Sequence, residues 1–80
     1  MDGYLSKKNI VIGVRQSLQA LIDGNVIKLY YAMDAERHII EEALSLARQK
    51  NISIVEVETM MQLGSFCDIK VKAAIAAEIM

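Results

Sequence analysis

The sequence predicts an α/β domain: a three-layer α/β/α sandwich built around a four-stranded mixed sheet. Two observations carry this. Short β-branched and aromatic runs alternate along the chain with amphipathic stretches of helical spacing, which is the pattern of a sheet covered by helices. The chain also contains no proline, internal repeat or low-complexity tract, so its 80 residues read as one unit, a single domain over 1–80.

Residues 1–9 place Tyr4 and Leu5 on a polar background, expected to form a short helical turn that lays both side chains on the body of the domain. Ile10, Val11 and Ile12 form an apolar strand that passes through Gly13 into a helix over 14–23, where Leu18, Leu21 and Ile22 recur at helical spacing. Gly24 suits the left-handed position that ends such a helix. Residues 26–33 are β-branched and aromatic and too short for a stable helix, so they read as a central strand. Asp34 follows at a helix-cap position.

Over 35–50, Ile39, Ile40, Ala43, Leu44 and Ala47 recur at three and four, opposite Glu41, Glu42, Arg48 and Gln49, giving an amphipathic surface helix. Asn51 can take the left-handed cap that ends it. A third strand covers 52–57. Thr59 caps a short helix through Leu63, which Gly64 is expected to break. Ser65 to Asp68 is a loop leading into Ile69, Lys70, Val71 and Lys72. Residues 73–79 are alanine-rich, which favours helix, yet their place after three strand–helix units favours a last strand. We assign strand, because tertiary context overrides propensity and small side chains let helices pack closely over a buried strand.

Composition narrows the chemistry. The apolar fraction is 54%, enough to close a core without staples, and the single cysteine, Cys67, excludes a disulfide framework and a cysteine metal site. No apolar run approaches the roughly twenty residues that a bilayer requires, and Asp2 with Ser6, Lys7 and Lys8 interrupts any leader, so a cytoplasmic protein without a membrane partner is expected. The formal charge of −1 argues against a polyanion binder that works through bulk charge. Any nucleic-acid contact has to come from a local patch, for which Lys7, Lys8, Arg15 and Lys70 are available if the fold brings them together.

The most informative stretch is the helix start after Gly13. The first N–H groups of a helix lack intrahelical partners and carry roughly half a positive charge, so they favour an anion. Arg15 and Gln19 lie four apart on one face, with Gln16 beside them. An arginine brings charge and a fork of donors, and a glutamine brings a donor and an acceptor, which suits a phosphate and a base edge. The same residues would equally serve as solvated side chains on a first turn, and Lys70 and Lys72 could simply blunt an exposed strand edge.

No enzyme constellation emerges, and no cofactor is expected. Gly13 lacks the spacing of a phosphate loop. Glu41 and Glu42, adjacent on a helix, diverge by about 100° and cannot pair as acid and base. His38 has no metal-ligating partner, and Cys67 has no histidine–acid pair in register. Met33, Met60 and Met61 read as core filler among apolar neighbours.

Three stretches in register resemble a known family: Gly13-Val14-Arg15-Gln16-Ser17-Leu18-Gln19-Ala20-Leu21, then Leu29-Tyr30-Tyr31-Ala32-Met33-Asp34-Ala35-Glu36, then Leu63-Gly64-Ser65-Phe66-Cys67-Asp68-Ile69-Lys70-Val71-Lys72-Ala73-Ala74. Together they resemble the kink-turn-binding ribosomal proteins, the group typified by the archaeal large-subunit protein seven-Ae and its thirty-e relatives, and above all its short bacterial members. The resemblance implies an α/β/α sandwich and a structured RNA ligand, a sharply bent internal loop with tandem sheared G·A pairs, in ribosomal or regulatory RNA.

Carried over by position, Gly13, Val14, Arg15, Gln16 and Gln19 would enter the groove beside the sheared pairs, and Ile69, Lys70 and Val71 would pack on the bases displaced by the bend. Glu36 and Ile40 match positions that line a pocket for a flipped-out base in some relatives. The chain departs from the family at several points. Gln19 and Met60 stand where lysine is usual or frequent, Asp68 where glycine is usual, and Phe66 where a small residue is common. A monomer that binds RNA is the expectation. The rival reading is a protein-interaction module on the same scaffold that no longer binds RNA.

Overall fold

A computed structural model describes residues 9–80. The chain runs β1 (Ile10–Ile12), α1 (Val14–Asp23), β2 (Val26–Ala32), α2 (Arg37–Gln49), β3 (Ser53–Val57), α3 (Met60–Phe66) and β4 (Ile75–Ile79). The strands form one sheet in the order β1-β4-β2-β3. β2 and β3 are parallel, as a strand–helix–strand crossover through α2 requires, and β4 is antiparallel to both its neighbours. The sheet is thus mixed and four-stranded, as expected, and the alanine-rich segment is a strand in its interior.

Side-chain alternation along the two central strands divides the core in two. Leu29 and Tyr31 of β2 and Ile75 and Ala77 of β4 join Leu21, Ile40 and Leu44 beneath α1 and α2. Tyr30, Ala32 and Ala76 face the other way and pack with Leu63 and Cys67 beneath α3. Ala77 pairs in register with Leu29, and Ala76 with Tyr30. Both alanines are fully buried, so a small side chain on β4 lies beside each large one on β2 and helices close over both faces. This packing outweighs the helical preference of alanine at these positions.

The start and end of α1 fall where the sequence places them. Gly24 is left-handed (φ 77°) and its N–H donates to the carbonyls of Ala20 and Leu21. Asn51, at φ 59°, takes the left-handed position after α2, and the N–H of Ile52 returns to the carbonyl of Ala47 across 2.9 Å. Thr59 caps α3 by accepting from the N–H of Gln62 across 3.0 Å.

Four expectations are corrected. Gly64 does not break its helix: α3 continues to Phe66, with Gly64 buried inside it. A β-carbon at Gly64 would collide with the carbonyl oxygen of Val71, so the glycine permits a close approach of chain to helix. Asp34 does not cap α2, whose N-cap is Glu36, without a side-chain bond. Asp34 accepts instead from the N–H of Met60, at the start of α3. Met33 and Met61 are exposed, 59% and 60%, and only Met60 packs against the core. Lys70 and Lys72 lie in the segment before β4 and not on a strand edge. The helical turn expected over 1–9, with Tyr4 and Leu5, and the contribution of Lys7 and Lys8 to a basic patch fall on residues outside those described.

Candidate functional site

Because β4 is antiparallel to β1 and β2, its N-terminal end lies at the same sheet edge as the C-terminal ends of β1, β2 and β3. The loops that leave these ends are stitched together by backbone bonds. Gly13 N–H donates to Ile75 C=O (2.9 Å), Ala32 N–H to Ala74 C=O (3.0 Å), Met33 N–H to Val57 C=O (2.8 Å) and Ala73 N–H to Met60 C=O (3.0 Å). The bond from Met60 N–H to Asp34 Oδ1 (2.8 Å) closes the set. The tip of α1, the loop after β2, the start of α3 and residues 67–74 therefore form one connected edge.

At the tip, Gly13 adopts φ 107° and ψ 157°, a conformation that residues with a β-carbon rarely adopt. The helix has no side-chain cap, and its first internal bond runs from Ser17 N–H to Gly13 C=O (3.0 Å). The amides of Val14, Arg15 and Gln16 precede that bond and point out of the helix end. Arg15 and Gln16 are exposed there. The Gln16 side chain folds back over Gly13, its Oε1 2.9 Å from the point a β-carbon would occupy. Val14 is half-buried and packs on the core. Gln19 turns away along the helix, its Nε2 donating to Asp23 Oδ1 across 3.0 Å.

Across the edge, residues 67–74 are held in a defined path. Asp68 sits in the left-handed region at φ 66°, which aspartate tolerates better than most residues with a β-carbon. Ile69 N–H donates to Gly64 C=O (3.0 Å), and the Val71 carbonyl is pressed against Gly64. Ile69 is half-buried against the core beneath α3, Lys70 is exposed, and the Val71 side chain is 66% exposed.

The remaining two predicted positions separate. Glu36 is exposed, with its Oε1 3.6 Å from Nε2 of His38. Ile40 is 1% exposed and belongs to the core between α2 and the sheet, so its side chain is not part of the surface. The structure thus brings Gly13, Arg15 and Gln16 to the same edge as Lys70 and Val71, with Glu36 at its margin. Gln19 is displaced along α1 and Ile40 lies beneath the surface.

Charge at this edge is balanced. Arg15, Arg37, Lys70 and Lys72 stand against Asp34, Glu36, Glu58 and Asp68 in the segments that form it. Among the described residues, the cations of this edge are matched in number by acids, so attraction of a polyanion rests on local cations. Sequence reasoning missed the role of Asp34 and the exposure of Met33 and Met61. For Asp34 the only sequence signal was its place after Ala32-Met33, at the end of a strand. Burial pushes the Cys67 thiol up from its ordinary value, which keeps it protonated and suits a packing role.

Comparison with known proteins agrees with this architecture. A model of the Ribosomal protein L7Ae/L30e/S12e/Gadd45 family matches residues 3–79. An RNA-binding protein of Caldanaerobacter subterraneus is 39% identical over 69 residues, covering 86% of this chain and 84% of that protein. The RNA-binding protein YbxF of Geobacillus stearothermophilus is 37% identical over 76 residues, covering 95% and 93%. Among solved structures, a Giardia lamblia 15.5kD RNA binding protein superposes with a TM-score of 0.84 at 20% identity. That match covers 91% of this chain and 62% of the other, and it bears on the fold alone. The chain belongs to the Ribosomal protein L7Ae/L30e/S12e/Gadd45 family.

Proposed function

We propose that this protein is a single RNA-binding domain that acts as a monomer and recognises a kinked RNA element, a bent internal loop with sheared G·A pairs. The observation that carries the reading is the hydrogen-bonded edge on which the uncapped tip of α1 stands beside residues 67–74. The family relatives that are named RNA-binding proteins support it.

The chemistry follows from the parts. Arg15 and the first amides of α1 hold a phosphate or a guanine edge. Gln16, whose amide both donates and accepts, reads the edges of the sheared pair once it swings off Gly13. Val71 and Lys70 meet the bases and backbone on the far side of the bend. Such a surface stabilises the kinked form because the two contact regions are both satisfied only when the RNA is bent. Glu36 borders the surface, Ile40 supports it from the core beneath, and Gln19 lies exposed further along α1, bonded to Asp23.

A gel shift with a kink-turn duplex and a straight duplex, each at two salt concentrations, tests the reading. Preferential binding of the kinked duplex with a shallow salt dependence is expected, because few phosphates are neutralised. Equal binding of both duplexes contradicts kink recognition, and no shift with either favours a protein-interaction module.

A further inference from the structure

The two outer strands of the sheet are of unequal kind. β1 is three residues long, whereas β3 stands last in the strand order and pairs with β2 over five residues without a register shift. Val57 C=O accepts from Met33 N–H (2.8 Å), so it faces β2. Backbone groups alternate in direction along a strand, and those of Ile54 and Glu56 therefore face outward. Ser53–Val57 holds no proline and no lysine, the residues that commonly blunt an edge. Its one charged side chain, Glu56, is turned back to accept from the Tyr31 hydroxyl across 2.6 Å.

Arg37 and Arg48 overlook this edge. They lie about three helical turns apart on α2, so they share one face of it, and both are exposed. The bond to Glu56, then burial, raise the Tyr31 pKa, and the positive charges of Arg37 and Arg48 oppose the rise, which places both arginines near the Tyr31–Glu56 pair. Among the described residues neither arginine forms a salt bridge.

We propose that the free edge of β3 takes up an extended acidic segment of another protein as a fifth strand. Main-chain bonds form at Ile54 and Glu56, and two carboxylates on the α2 side of the segment are held by Arg37 and Arg48. The spacing suits this partner. Helix rise separates the two arginines by about 16 Å. Strand residues four apart share a face and stand about 13 Å apart, a difference that long arginine side chains close. A second copy of this chain fits less well, because a two-fold pairing of β3 edges sets the arginine-bearing flank of α2 against itself. The inference goes beyond RNA recognition, and Arg48 lies at the end of α2 remote from the RNA-binding edge.

The test is an NMR titration of the isotope-labelled full chain with a synthetic peptide of alternating threonine and valine that carries two glutamates four residues apart. One control peptide has lysines at those positions, and a second keeps the glutamates but is N-methylated along the edge that would meet β3. The glutamate peptide is expected to shift the Ile54 and Glu56 amides, to slow their hydrogen exchange, and to bind about tenfold more tightly than either control. Arg48→Glu should reverse the preference towards the lysine peptide and leave binding of a kink-turn RNA unchanged. Equal binding of the glutamate and lysine peptides, a preference that survives Arg48→Glu, amide shifts confined to residues outside β3, or no binding at millimolar peptide overturns the proposal. So does protection of the Ile54 and Glu56 amides that rises with the concentration of the protein alone, which marks a second copy as the occupant.

Discussion

Asp34 Oδ1 accepts a hydrogen bond from the backbone N–H of Met60 across 2.8 Å, joining the loop after β2 to the start of α3. This contact between residues 26 positions apart fixes the two segments that flank residues 67–74 at the sheet edge. Asp34→Ala is expected to lower stability by about 1 kcal/mol, in the range for loss of one charge-assisted bond at an exposed site. It should also speed hydrogen exchange at the Met60 amide. Asp34→Asn, which keeps an acceptor, should retain most of both.

Gly64→Ala is a harsher change. The new methyl group would meet the Val71 carbonyl oxygen, which is backbone and cannot rotate away as a side chain could. A loss of about 3 kcal/mol or more in chemical denaturation is expected, together with altered amide shifts across residues 69–73. A loss no larger than that of an ordinary exposed helix substitution would show that the two segments can separate freely.

Ser17 is fully buried in α1, and its Oγ has no hydrogen-bond partner among the described residues. A buried hydroxyl without a partner destabilises the fold, so Ser17→Ala should raise stability by about 1 kcal/mol. The measurement is the midpoint of urea unfolding at constant slope.

Alkaline unfolding should report on Tyr30. Its hydroxyl donates to Glu78 Oε1 across 3.0 Å, and its ring lies 5.0 Å from that of Phe66. Burial, then the bond to Glu78, push its pKa from 10.0 up to about 12. The raised value means that the folded state holds the proton after the unfolded chain releases it. The stabilisation is therefore complete below pH 10 and is lost as pH rises from 10 towards 12. Glu78→Gln should move the phenol's absorbance titration to lower pH and shrink that loss.

Much of this architecture was legible because it depends on neighbours in sequence. Gly13 and Gly24 bound α1 through their own backbone conformations, and Thr59 caps α3 three residues ahead of its partner. The strand over Ile75–Ile79 was legible only from its place in the alternation of elements, since its alanines alone favour helix. What escaped depends on contacts between distant positions. Gly64 is set by Val71 and Asp34 by Met60, so a glycine read as a helix stop and an aspartate read as a cap serve the site instead. Met33 and Met61 read as core because apolarity carries no information about which way a side chain faces at an element boundary. At the site itself, Arg15 and Gln16 were placed correctly as exposed first-turn residues, whereas Ile40 was drawn into the core by the same helical spacing that predicted its helix.

The central claim is that the α1 tip binds and bends RNA. The most direct measurement is fluorescence energy transfer between the arms of a kink-turn RNA, titrated with the parent protein and with the double variant Arg15→Ala, Gln16→Ala. The parent is expected to drive the RNA to the bent, high-transfer state and the variant to leave it extended, while the variant's stability stays within about 1 kcal/mol of the parent, as for exposed sites. Equal bending by the two proteins would contradict it.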